Sequence, residues 1–161
     1  MTGFSYDSCI VQQPGIGLLA YIPVSEIDLT VWPAAVKNST YNQQSGAGEL
    51  AWYAMPYVQG TGNWTEEQQE NEQGQYFRSV ISVFLPSDSG AVRSELEAMK
   101  RHRFVLKVTR GTESWLIGTP ENPLRFTSSY DTGSEGGDSR GHRCSFSGLH
   151  IYKSPFYTPV F

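Results

Sequence analysis

"RFVLKVTRGTESWLIGTPENPLRF" (residues 103–126) carries the plainest structural signal in the chain. Phe104, Leu106 and Val108 fall on one side of a period-2 pattern, "RGTE" turns at Gly111, and residues 114–119 return. The polar corner "TPENP" follows, with φ held by Pro120 and Pro123. Leu124 and Phe126 then open a further strand over 123–130. Nothing in the corner is nucleophilic, basic or metal-binding, so it reads as a sheet turning and not as a site.

Upstream, "PSDSGAVRSELEAMKRH" (86–102) predicts a helix over about 90–102. Ser87, Asp88 and Ser89 are candidate N-caps, and Val92, Leu96 and Met99 recur along one face. Glu95 and Glu97 sit early, whereas Lys100, Arg101 and His102 fall in the expected last turn. That order suits the helix dipole and accounts for the basic run "MKRHR" without nucleic acid. Before the helix, "GQYFRSVISVFLP" (74–86) has apolar groups on both parities, which predicts a central strand covered on two sides. The preceding "TEEQQENEQGQ" has no apolar residue and reads as a solvated hairpin tip or a projecting polar loop over 61–76.

At the start, residues 1–14 are polar and broken by Pro14, which suggests a flexible arm. "IGLLAYIPV" (16–24) has strand length, and Ile27, Leu29 and Val31 alternate within "VSEIDLTVW". Residues 33–48 read as loop, and 49–60 return to β composition. Toward the end, "DTGSEGGDSRG" (131–141) is a Gly/Asp loop leading into "HRCSFSGLHIY" (142–152). There the apolar parity switches from Cys144 and Phe146 to Leu149 and Ile151, and Gly148 is the expected bulge. The tail 153–161 is aromatic with two prolines and reads as an arm lying on a surface or a neighbour.

Together these elements predict one β-rich domain over 1–161: a β-sandwich or barrel of antiparallel strands with one α-helix packed on it. The composition agrees. Aromatic residues make up 13% and charged residues only 17% of the chain. That balance suits sheet faces and subunit contacts and excludes a disordered chain. A net charge of −4 argues against a nucleic-acid binder, which needs a basic footprint. No leader-like start and no apolar run of membrane length occurs, so a product made in the cytoplasm, with no membrane partner, is expected. The sequons at 38–40 and 63–65 are then chance matches.

The search for chemistry returns little. No GxSxG elbow accompanies the serines, and no phosphate-cradling glycine loop is present. His142 and Cys144 share a strand face, yet two ligands without a second pair fall short of a zinc signature. Asp131, Glu135 and Asp138 could gather around calcium but miss the EF-hand spacing. We therefore expect no enzyme activity, no catalytic residue, no cofactor and no metal.

The order of elements, and the phrase "WLIG…PLRF…DTG…F.G" over residues 15–152, resembles small virion proteins of tailed bacteriophages, especially those of Bacteroides-like hosts. The resemblance is to the tail-tube or tail-connector type. It implies a structural, ring-forming subunit of the virion tail or neck, a hexamer or higher. DNA would pass the lumen without specific binding, and neighbouring tail or neck proteins would be the partners. The expected contacts between subunits are Trp64, Glu66, Glu67, Glu70, Glu72 and Tyr76 in the polar segment, and Asp131, Glu135 and Asp138 in the Gly/Asp loop. Phe156, Tyr157 and Phe161 join them from the C-terminal arm. A second class is a β-sandwich module for carbohydrate, with Trp32, Trp52, Trp64 and Trp115 as stacking surfaces.

Overall fold

The computed structural model describes residues 15–27, 29, 40–42, 52–86, 88–134, 136, 140–154 and 156–158. Its strands are β1 (Leu18–Pro23), β2 (Thr40–Asn42), β3 (Tyr53–Ala54), β4 (Asn63–Asn71) and β5 (Gly74–Leu85). Helix α1 (Gly90–Met99) comes next, then β6 (Arg103–Arg110), β7 (Glu113–Ile117), β8 (Leu124–Asp131), β9 (Gly141–His150) and β10 (Phe156–Thr158). The protein is mainly β with a single helix among the described residues, as its alternating pattern predicts.

All ten strands belong to one sheet, in the order β2-β10-β7-β6-β8-β9-β5-β4, with β1 and β3 on the other flank of β6. Every pairing is antiparallel except that of β10 with β2. The sheet divides at β6. Residues 106–110 of β6 pair with β7, whereas Arg103 and Phe104 pair with Arg125 and Leu124 of β8. Those two rungs join a half built on β6, β7 and β1 to a half built on β8, β9, β5 and β4. The halves face each other without closing into a barrel. Between them lies the main core: Tyr21, Leu106 and Ile117 from one half meet Ile81, Phe126 and Phe146 from the other. Phe146 is the hub, with ring centroids 5.7 Å from Phe104, 5.1 Å from Phe126 and 6.5 Å from Tyr21. Burying such rings contributes a large share of the folding free energy.

The two-residue turn between β6 and β7 needs a backbone that side chains resist, and Gly111 supplies it at φ 62°. Helix α1 starts where its sequence says it should: the Ser89 hydroxyl accepts a hydrogen bond from the Val92 N–H at 3.2 Å. Leu96 and Met99 seal one end of the core, with Val92 half-buried beside them.

Several expectations need correction. The helix ends at Met99 and not near 102, so Lys100, Arg101 and His102 lie beyond its last turn. The ion pair of Lys100 with Glu97 at 2.8 Å is their visible link to it. The strand covered on both faces is β6 and not β5: Val105 turns outward into a second cluster with Ile22, Ile27 and Leu116. On β5 the outward Arg78 and Ser82 are exposed, because nothing packs over short polar side chains there. Only Phe84 of that parity is buried. Gly148 makes no bulge. Pairing runs unbroken from Phe77–His150 to Leu85–His142, so the inward parity continues through His150 while Leu149 and Ile151 stay exposed.

The segment expected as a projecting loop over 61–76 is strand β4 with the start of β5. An edge strand facing water needs no apolar residue, which is why its composition misleads. Of the expected C-terminal arm, residues 156–158 are built into the sheet between β7 and β2. Residues 24–26 form a turn of 3₁₀ helix and not a strand, and among the described residues 52–60 only Tyr53 and Ala54 are strand. Of the loop expected over 33–48, Thr40–Asn42 is strand β2, while 33–39 and 43–48 lie outside the described residues, as do the arm 1–14 and Val31.

Candidate assembly surface

Among the described residues the β4–β5 hairpin is the outer edge of its half-sheet. There β4 pairs with β5 alone over nine rungs, from Asn63–Ser82 to Asn71–Gly74. The neighbouring β9 stops at the rung joining Phe77 to His150. Three rungs of hairpin, Gln69–Tyr76, Glu70–Gln75 and Asn71–Gly74, therefore extend past the supporting sheet, about 10 Å at strand rise. A two-stranded ribbon without a third strand or a core is marginal by itself.

The residues expected in this segment divide by whether the rest of the sheet lies behind them: Glu70 shares the parity of Trp64 and Glu66 but stands past the end of β9. Glu67, Glu70 and Glu72 are exposed. Trp64 turns inward, half-buried against the main core, with its ring 5.8 Å from that of Trp115 on β7. Glu66 also turns inward. It accepts hydrogen bonds from the Ser79 hydroxyl at 3.1 Å and from the Ser154 N–H at 3.1 Å. A carboxylate so occupied ties β4 to the chain beyond β9, and an inward charge on an edge strand discourages indiscriminate pairing. Tyr76 is half-buried. Trp64 and Glu66 are thus committed within the subunit, whereas the three exposed glutamates are free to meet a neighbour.

Asp131 is exposed at the end of β8, where its carboxylate accepts the Gly133 N–H at 2.9 Å. Glu135, Asp138 and Phe161 lie outside the described residues, as does the side chain of Tyr157. The Phe156 ring stands 5.7 Å from Trp115 and remains 45% exposed. Beside the base of the hairpin, Leu149, Ile151 and Tyr152 are exposed at 57%, 67% and 79%. Apolar groups clustered at one end of a strand are a feature of contact surfaces.

The outward face of the same half-sheet has a chemistry that was missed in the sequence. Ser82, Ser145 and Thr127 stand in one cross-strand row, and the next row places Arg143 opposite Ser129. On the other side Arg125 lies opposite Ser147, with Arg103 of β6 directly across from it. Arg103, Arg125 and Arg143 are all exposed. Like charges directly opposite each other on a sheet are destabilising. Neither Arg103 nor Arg125 has an ion-pair partner among the described residues. Above the hydroxyl row is an open concavity of about 1020 Å³ lined by Ser82, Thr127, Ser145 and Arg143, with Asp131 at one end. One arginine on each of three strands, about twenty residues apart, leaves no local pattern; only register gathers them.

The remaining chemical candidates are used structurally. His142 Nε2 sits 3.2 Å from Asp88 Oδ1, and Arg93 grips both oxygens of that carboxylate at 2.7 and 2.8 Å. Cys144 faces the core 1% exposed, and burial pushes its thiol up to about 11. The pair that shares a strand face in sequence is thus split between a hydrogen bond to Asp88 and the core. The indoles of Trp52, Trp64 and Trp115 are half-buried, Trp52 with Lys107 5.1 Å over its ring. Trp32 lies outside the described residues. Among the described residues no helix is long and apolar enough to cross a membrane.

No protein-family model, curated protein or solved structure matches this chain.

Proposed function

We propose that the chain is a structural, ring-forming subunit of a tailed-phage virion, in the tail tube or in the tail or neck connector, whose copies surround the DNA passage. The observation that carries this reading is the β4–β5 hairpin. It projects three rungs beyond its sheet, is acidic and exposed at its tip, and leaves an open edge along β4. A monomer gains nothing from holding a marginal ribbon in water, whereas a ring subunit uses such an element to reach its neighbour. The exposed Leu149, Ile151 and Tyr152 at the hairpin base supply apolar area for the same contact.

The carbohydrate module has less support, because the three described tryptophans are partly covered and none presents an open ring platform. The test is negative-stain electron microscopy of the purified protein across a concentration series. Rings of one fixed symmetry are expected. A monodisperse monomer at every concentration overturns the reading.

A further inference from the structure

We infer that the arginine-bearing outer face of the β8–β9–β5 half is the docking site for the acidic β4–β5 hairpin tip of a second copy of this chain. The inference rests on the ring-subunit reading and names the two surfaces that would meet. Arg103 and Arg125 oppose each other across the β6–β8 junction, exposed and without ion-pair partners among the described residues. Placing two like charges in register costs stability unless an anion lies between them. Arg143 adds a third charge two outward rungs along, within roughly 15 Å at strand spacing. In a chain of net charge −4 such a concentration of unpaired arginines on one face calls for an acidic ligand.

The hairpin tip supplies that ligand. Glu70 and Glu72 are exposed on the unsupported rungs and turn, with Glu67 behind them. Guanidinium groups pair with carboxylates in two-point geometry, and the hydroxyl row of Ser82, Ser145 and Thr127 donates to further oxygens and backbone carbonyls. The concavity of about 1020 Å³ has room for a turn of several residues. Tip and face are different surfaces of the subunit, so the contact is heterologous and repeats from copy to copy, closing into a ring or continuing as a stack. A phosphodiester strand on the same arginines is the competing occupant.

The test is a pair of charge reversals read by sedimentation velocity and mass photometry at low and high salt. The tip variant carries Glu70→Lys with Glu72→Lys; the face variant carries Arg103→Glu with Arg125→Glu. Thermal melts confirm that both are folded. Each variant alone is expected to lose self-association by about tenfold or more, and wild-type association to weaken as salt rises. Mixed one to one, the two variants carry opposite charges on their altered surfaces, while each retains one native surface. They are expected to recover association, because the intact tip of the face variant meets the intact face of the tip variant and the two altered surfaces attract each other.

Association of both variants at wild-type strength overturns the docking site while leaving the ring reading in place. A wild type that stays monomeric, with a silent mixture, overturns both. A fluorescence-anisotropy arm uses a single-stranded oligonucleotide. If the face variant loses oligonucleotide affinity yet assembles normally, phosphate and not the hairpin is the ligand, and the proposal fails.

Discussion

Trp64 on β4 and Trp115 on β7 lie with ring centroids 5.8 Å apart, although four strands separate their own strands in the order of the sheet. That distance measures how far the sheet has folded back on itself. Edge strand β4 and inner strand β7 meet through this pair of indoles and not through a ladder of hydrogen bonds.

The first prediction follows from that pair. Trp64→Ala removes a half-buried indole from the seam and is expected to cost about 3 kcal/mol, toward the low end for a large aromatic. The coupled indoles should give an exciton couplet in circular dichroism that vanishes in Trp64→Phe and in Trp115→Phe alike. A couplet that survives either change would mean that the rings do not meet in solution.

Asp88 carries a second. The Arg93 guanidinium, with hydrogen bonds from His142 and Tyr130, holds its carboxyl well below the usual range, although partial burial pushes the other way. A depressed native pKa stabilises above the unfolded value near 4, and the contribution drains away as pH falls toward the native value. Asp88→Asn should therefore melt lower than wild type at pH 7, with the gap narrowing between about pH 4 and pH 2. Melting curves at pH 7, 4 and 2.5 decide it, and a gap independent of pH would sink the assignment.

His150 gives the opposite window. It is 8% exposed, its Nε2 is buried without a partner, and burial lowers its pKa, with Glu66 pulling weakly the other way. Below about pH 6.5 the unfolded imidazole takes a proton that the native one refuses, so stability falls as pH drops through that value. In urea titrations the wild-type midpoint should fall between pH 7.5 and 5.5. His150→Gln should lose much of that slope, and an unchanged slope refutes the role.

Cys144 offers a chemical check on the core. With its thiol pushed up to about 11 and only 1% exposed, it should resist thiol reagents in the native protein. In a Cys9→Ser background, labelling with iodoacetamide is expected only after denaturant is added. Rapid native labelling would show that β9 opens.

How much of this was legible beforehand depended on whether the information was local. The β6–β7 hairpin was readable because Gly111 and two apolar runs lie within fifteen residues, and α1 because Ser89 caps it where expected. β4 was not, since an edge strand in water has no reason to carry the apolar alternation that marks a buried one. The Gly148 bulge was inferred from Leu149 and Ile151, on the premise that apolar residues point inward; His150 points inward and they do not. For the assembly surface, the acidic tip stands out in the sequence, but Arg103, Arg125 and Arg143 are united only by register.

The parallel pairing of β10 with β2 joins Phe156–Thr158 to Thr40–Asn42, more than a hundred residues apart, and among the described residues β2 has no other strand beside it. During synthesis β2 emerges early and must wait for almost everything that follows before it finds its place. Closing so long a loop is slow and comes late. Until then the β7 flank stays open to any other strand, so the docking of β10 with β2 is the molecule's own guard against mispairing between nascent copies.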